Sequence, residues 1–296
     1  MGYPFLFLSI LSCTAKGFFG KKSSGRTPGF RDTVLFNLIR MIICALLGFL
    51  LILPEGTLSG MAPSGDLLLS AALFGLSTAG VVVTWQLAVR KNAYMLMDVF
   101  MTLGVLIPIV LSSIFFEKSV RWNEWLGLCI LFGAVMIMCS YNTGLKGKMP
   151  ALAFVLLALC GIFNGLADFS YSIYNNALKA EFSVSVFNFY AYVFATVFLG
   201  IFFFLLPRKK DPVQEGLVGK LFGLMVIMAL CQVGTSYFKI LAGEYLDPVI
   251  LFPLNQGMLL LLSTLMSRIF FKEKITVKCI IGLVTAFVGL LIIKML

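Results

Sequence analysis

One stretch of the chain carries a row of polar side chains inside an otherwise apolar run. Its members are Asn164, Asp168, Tyr171 and Asn175. Their spacings of four, three and four residues place all of them on one face of a helix. A carboxylate, two amides and a phenol on one face can bind a small polar molecule or an ion.

Four further apolar stretches carry polar residues at helical spacing. They contain Gln232, Ser236 and Lys239; Asn255, Gln256 and Ser263; Ser70, Ser77 and Thr84; and Ser9, Ser12 and Lys16. Polar faces that avoid lipid must face one another or water, so the pattern predicts a central cavity. Hydrogen bonding between helices, at about 0.6 kcal/mol per pair, is the better interpretation for most serines and threonines. The candidate substrate-binding residues are Asn164, Asp168, Tyr171, Gln232, Ser236, Gln256, Ser77 and Ser12.

The carboxylate of Asp168 needs a cation or a proton if it lies inside a membrane. Lys239 and Lys16 are both candidate partners. Desolvation favours the protonated acid, and a nearby lysine favours the carboxylate. Asp168 could therefore carry a coupling proton, or it could be a fixed charge that contacts a substrate or a counter-ion. We favour the fixed charge.

Two further ionisable residues, Arg40 and Asp98, lie at similar depths inside apolar stretches. We expect them to pair as a structural clamp, because two opposite charges at one depth can compensate each other. An inner gate, a contact with an anion, and an arginine that reaches back to the interface remain alternatives. Lys16, Arg40, Asp98 and Lys239 together form the candidate set of gate or ion-pair residues.

The composition places these residues in a membrane. Of 296 residues, 60% are apolar and 12% are charged, with a mean hydropathy of +1.01. These values exclude a water-soluble globular protein and a disordered chain. The apolar runs are continuous rather than alternating, which favours spanning helices over a β-barrel.

Ten apolar segments have about the length that a membrane-spanning helix requires. They cover residues 2–19, 33–53, 67–87, 93–116, 122–140, 150–172, 184–206, 217–239, 248–271 and 277–295. The first segment has its positive charges after the apolar run, so we interpret it as a retained helix rather than a signal peptide.

The basic residues predict an orientation. Most of the 23 lysines and arginines follow odd-numbered segments, and the loops after even-numbered segments hold only Lys118, Arg121 and Lys179. By the positive-inside rule, the odd loops are cytoplasmic and both termini face outward. We therefore expect a multi-pass protein of the cell membrane.

Two segments of the chain resemble each other. FFEKSVRWNEWLGLCILFGAVMIM begins at Phe115, and FFKEKITVKCIIGLVTAFVGLLII begins at Phe270. Superposing them predicts a five-helix repeat, with residues 1–141 and 150–296 as the copies and 142–149 as the linker. An odd number of spans turns the second copy upside down. Chance similarity of a short segment is the alternative.

The run LIPIVLSSIFFEKSVRWNEWLGLCILFG, together with the arginine in FNLIRMIICALL, resembles the drug/metabolite transporter superfamily in its ten-helix EamA-like branch. The resemblance implies two inverted five-helix repeats around a cavity, and it implies transport. Members of this branch usually have cytoplasmic termini. The charge count predicts the opposite orientation for this chain.

The expected function is that of a secondary transporter that moves a small polar or zwitterionic metabolite by alternating access. A non-transporting sensor or assembly factor is the alternative, although it would not need polar faces on five helices. An enzyme is not expected, because the chain has no histidine and its carboxylates are scattered.

We predict no metal, cofactor or nucleic acid. The predicted partners are a small-molecule substrate, the lipid bilayer and a possible coupling proton, with the chain as a monomer or homodimer.

Overall fold

The computed structural model describes residues 2–55, 61–90, 100–117, 120–142, 151–207, 213–271 and 277–295. These residues form α-helices and connecting turns, with no strand among them. The helices in the described ranges are α1 (Gly2–Ser24), α2 (Phe30–Glu55), α3 (Gly65–Arg90), α4 (Leu106–Phe116), α5 (Trp122–Asn142), α6 (Ala151–Ile173), α7 (Val184–Leu205), α8 (Leu217–Gly243), α9 (Pro248–Phe271) and α10 (Val277–Met295).

Helix bounds differ from the apolar segments where polar residues continue a helix. α1 extends beyond the predicted end at residue 19, through Lys21 and Lys22 to Ser24. A helical backbone can continue into polar residues after the apolar run has ended. α6 continues as one π-helical turn over Tyr174–Leu178, beyond the predicted end at residue 172. A short helical stretch, 100–104, precedes α4. The predicted residues 93–99 lie outside the described ranges.

Local signals position two of the helix starts. The Ser183 side chain accepts a hydrogen bond from the Val186 amide and caps α7. Asp32 accepts one bond from the Gly29 amide, at 3.0 Å, and one from the Gln214 amide, at 2.9 Å. Asp32 thereby joins the start of α2 to the segment that leads into α8.

The chain is an all-α membrane protein. Six helical stretches within the described ranges are long and apolar enough to cross a bilayer. They lie within α2, α3, α6 with its π turn, α7, α8 and α9. Large apolar side chains such as Leu46, Leu50, Ile201 and Phe204 are exposed on the outside of the bundle, which is the surface that lipid would cover.

The helices of the first half of the chain pack mainly on helices of the second half. The main pairs of helices across the two halves are α1 with α8, α2 with α7, α2 with α8, α3 with α6, α3 with α7, α4 with α6, α1 with α9, α4 with α9 and α5 with α10. Contacts within each half are fewer, so each half buries most of its apolar contact surface against the other half. The central core and the site described below lie where the two halves meet.

Glycines allow two helical segments of the bundle to approach each other closely. Gly161 and Gly165 form a G-x-x-x-G on α6. A Cβ at Gly161 would overlap the Phe100 carbonyl oxygen, and a Cβ at Gly165 would overlap the Gly104 carbonyl oxygen. α6 and the segment that leads into α4 thus touch backbone to backbone, as small residues permit in membranes.

This contact predicts a stability difference between two alanine substitutions. We expect Gly161→Ala to lower stability by about 1–3 kcal/mol, because the added carbon has no space. Gly223→Ala on α8 is the matched control, because a Cβ there meets no atom within 4 Å. The control should be neutral or slightly stabilising. Thermal unfolding of both purified variants in detergent measures the difference, and equal melting temperatures would contradict the close contact.

Candidate functional site

A cavity of about 110 Å³ lies in the centre of the bundle, lined by α1, α2, α3, α6, α8 and α9 together with Met101. Its described polar lining consists of Thr14, Lys16, Arg40, Thr78, Gln86, Asn164, Asp168, Gln232, Thr235, Lys239, Asn255, Gln256 and Ser263. The polar faces of several helices therefore meet at one place, as the helical spacing predicts.

Two buried charges in the cavity form an ion pair. Lys239 Nζ lies 2.6 Å from Asp168 Oδ1. Both residues are almost completely buried. Lys239 is thus the partner of Asp168, one of the two that the sequence allows. The second carboxylate oxygen, Oδ2, has no hydrogen-bond partner among the described residues and can accept a donor from a ligand.

Gln232 on α8 links two side chains from different helices. Lys16 donates a hydrogen bond to Gln232 Oε1 at 3.1 Å. The Tyr192 hydroxyl donates to the Gln232 carbonyl oxygen at 3.2 Å and is also hydrogen-bonded to the Ser236 hydroxyl. The network holds α1, α7 and α8 together beside the ion pair.

Arg40 is buried in the cavity wall, with 4% of its surface exposed. Its Nε has no hydrogen-bond partner in the described part of the chain. It therefore does not reach back to the membrane interface. The predicted partner Asp98 lies outside the described residues, so the clamp between Arg40 and Asp98 stays a prediction.

No known family model matches the chain, and no curated protein matches it. One solved crystal structure superposes on it with a TM-score of 0.72, covering 99% of this chain and 96% of that chain. The fold is therefore a known one. The sequence identity is 14%, so the likeness shows the fold alone and carries no function to this chain.

The cavity contains most of the residues that the sequence singled out. Asn164, Asp168, Tyr171, Gln232, Gln256, Lys16, Arg40 and Lys239 all line it. Three of the predicted substrate-binding residues do not line the cavity. Ser12 faces α8, since its Oγ lies 3.1 Å from where a Cβ of Gly234 would be. Ser236 bonds to Tyr192, and Ser77 is buried beside the cavity rather than in its lining.

Several residues of the site were not predicted from the sequence. Thr14 and Thr78 line the cavity, but lone threonines in apolar runs carry no distinctive signal. Trp85 also lines it, although tryptophans near segment ends usually anchor a helix at the interface. Trp122 and Trp125 are exposed, as anchors would be. Tyr192 lies on a helix with only scattered polar residues, and only its contact with Gln232 and Ser236 reveals it.

Exposure changes along the cavity. Towards the end of the bundle where α1 and α3 terminate, Lys16, Trp85 and Asn164 are partly exposed. Towards the opposite end, Asp168 and Tyr171 are buried. The described lining residues therefore differ in exposure, from the partly exposed Lys16 and Trp85 to the buried Asp168 and Tyr171.

Aromatic rings close the other end. The Phe74 ring lies 5.0 Å from the Tyr171 ring and 6.0 Å from the Phe187 ring. The Phe252 ring lies 5.6 Å from Lys239 Nζ. Phe252 also lines a separate polar pocket formed by the ends of α6 and α8 and the start of α9. Phe252 therefore lies between the central cavity and this second pocket.

Proposed function

We propose that the protein is a secondary transporter that moves a small polar or zwitterionic metabolite by alternating access. The observation that carries the proposal is the buried Lys239–Asp168 pair beside unpartnered polar atoms in a central cavity of a membrane helix bundle. Buried polar groups normally find partners inside the protein. Buried polar groups that lack a protein partner and point into a cavity are suited to bind a ligand reversibly.

Ten spans in two inverted repeats are part of the proposal. If helices α1–α5 are exchanged in order with helices α6–α10, the contact between α1 and α8 becomes the contact between α6 and α3. The same exchange relates α2–α8 to α7–α3, and α4–α6 to α9–α1, and all of these contacts occur. The α2–α7 and α5–α10 contacts map onto themselves. A pseudo-two-fold relation between the halves accounts for this pattern.

Alternating access is supported by the unequal ends of the cavity. The partly exposed end holds Lys16 and Trp85, and the opposite end is covered by Phe74, Tyr171 and Phe252. We place the open end in the cytoplasm, because the loops on that side carry most of the basic residues. Both termini would then face outward, and the reverse orientation is the one that the family resemblance implies.

A non-transporting sensor or assembly factor remains the second candidate, and the flux of a bound ligand separates it from a carrier. Ligands are first selected because they raise the melting temperature of the purified protein. Labelled ligand is then offered to proteoliposomes that contain excess unlabelled ligand. We expect accumulation by counterflow. Binding without any flux above that of protein-free liposomes would favour the sensor.

Two asparagines provide matched variants for this assay. Asn164 Nδ2 and both amide atoms of Asn188 are buried without hydrogen-bond partners in the described part of the chain, but only Asn164 lines the cavity. Asn164→Ala should reduce counterflow strongly, because it removes a donor that no described protein group accepts. Asn188→Ala should leave counterflow unchanged. Equal effects of the two substitutions would contradict the assignment of the site.

A further inference from the structure

The cavity has more positive than negative charge. Its described lining contains three cations, Lys16, Arg40 and Lys239, and one carboxylate, Asp168. Asp168 is bonded to Lys239. Lys16 donates to the neutral amide of Gln232. Two positive charges in the described lining, those of Lys16 and Arg40, are therefore not matched by an acid.

Arg40 is the more informative of the two unmatched cations. It is 4% exposed, and its Nε has no hydrogen-bond partner among the described residues. A guanidinium stays protonated in proteins, and a buried charge without a partner is unfavourable. An anion bound in the cavity would compensate this charge, and a carboxylate matches the planar guanidinium in two parallel hydrogen bonds.

The remaining walls indicate what else the ligand carries. Phe74, Trp85, Tyr171 and Leu259 give the cavity a largely aromatic and apolar surface. Asp168 Oδ2 is an acceptor without a partner among the described residues, so it can receive a hydroxyl donor. An ammonium group at the same place would meet the positive charge of Lys239.

We propose that the cavity selects a small organic carboxylate with an apolar or aromatic body and a hydroxyl group, in preference to the zwitterion or the cation of the same body. The inference narrows the proposed substrate from a small polar or zwitterionic metabolite to a small organic anion, and it rests on the proposed transport function for the statement that this ligand is carried. The charge of the cavity itself can be tested without any transport.

The first test measures the charge of the cavity with ionic quenchers of fluorescence. The chain has three tryptophans, and Trp122 and Trp125 are exposed. Replacing both by phenylalanine leaves Trp85, in the cavity wall, as the single reporter. We expect iodide to quench Trp85 several-fold more than caesium, because a positive cleft concentrates anions. Quenching by neutral acrylamide measures whether small solutes reach Trp85 at all, independently of charge.

Variants of Arg40 and of a distant lysine control this measurement. Arg40→Gln should reduce iodide quenching, whereas Lys220→Gln, at an exposed site on α8, changes the net charge equally and should have little effect. Caesium quenching as strong as iodide quenching would overturn the proposal, and so would a failure of acrylamide to reach Trp85. Increased iodide quenching in Asp98→Asn would show that Arg40 is already matched, which also overturns it.

The second test compares three compounds that share a phenyl body and differ in charge. 3-Phenyllactate is an anion, phenylalanine is a zwitterion, and 2-phenylethylamine is a cation. We expect 3-phenyllactate to raise the melting temperature of the purified protein the most, and we expect Arg40→Gln to remove that rise. A larger rise with phenylalanine, or no rise with any compound, overturns the proposed selectivity. Binding of 3-phenyllactate without counterflow would instead overturn transport and leave the selectivity intact.

Discussion

Lys239→Ala will lower the stability of the protein by about 3–5 kcal/mol, because it leaves the buried carboxylate of Asp168 without its partner. Asp168→Asn alone should also destabilise, since it leaves the Lys239 charge unpaired. The double variant Asp168→Asn with Lys239→Ala should recover much of the loss, because neither a positive nor a negative charge remains. Thermal unfolding of the four proteins in detergent forms a complete double-mutant cycle.

The control for this cycle is Lys179→Ala, which removes an exposed lysine after the π turn of α6. It should change the melting temperature little. If the stability losses of the two single variants add in the double variant, the two side chains act independently. That result would contradict the 2.6 Å contact between Lys239 and Asp168.

The same double variant distinguishes the two roles of Asp168. If Asp168 carries a coupling proton, a protein without the carboxylate loses pH-driven accumulation but keeps counterflow, which needs no net proton movement. If Asp168 is a fixed charge at the ligand, both activities fall. We expect both to fall.

The second large effect is expected at Arg40, where stability and ligand affinity should change in opposite directions. Arg40→Gln removes a buried charge without a described partner, so the melting temperature of the empty protein should stay the same or rise. Losing one charge contact with a carboxylate should weaken binding by about 1.5–3 kcal/mol, or roughly ten- to a hundredfold. Titration of 3-phenyllactate into the purified protein measures the affinity.

Arg40→Lys is the conservative comparison for that substitution. It keeps the charge but loses the planar fork, so we expect an intermediate affinity. A structural clamp would behave differently. Arg40→Gln would then lower the melting temperature and leave the affinity of the folded protein unchanged.

The sequence predicted the helices well, because each one is an apolar run with polar ends. The bounds Pro248–Phe271 of α9 coincide with the predicted segment 248–271. The π turn at Tyr174–Leu178 was not predicted. Its residues YNNAL are mostly polar, and Tyr174 is buried because its hydroxyl donates to the Phe182 carbonyl oxygen, a contact that hydropathy cannot show.

The site was predicted only in part, because spacing within a helix does not show which helix lies opposite. The polar face of α6 leads into the cavity through Asn164, Asp168 and Tyr171. On α1 the same spacing places Ser9 against the Thr235 carbonyl oxygen, and of Ser9, Ser12 and Lys16 only Lys16 is in the described lining of the cavity. The choice of Lys239 over Lys16 as the partner of Asp168 likewise depends on how α6 and α8 pack.

The packing of one half of the chain on the other has a consequence for biosynthesis. A ribosome makes α1 long before α8, and α2 long before α7, yet these are the helices that pack together. The newly made first half must therefore remain in the bilayer with its contact faces uncovered until the second half arrives. Contacts so distant along the chain slow folding. The nascent protein consequently depends on the insertion machinery, or on surrounding lipid, to protect α1, α2 and α3 until synthesis passes α8.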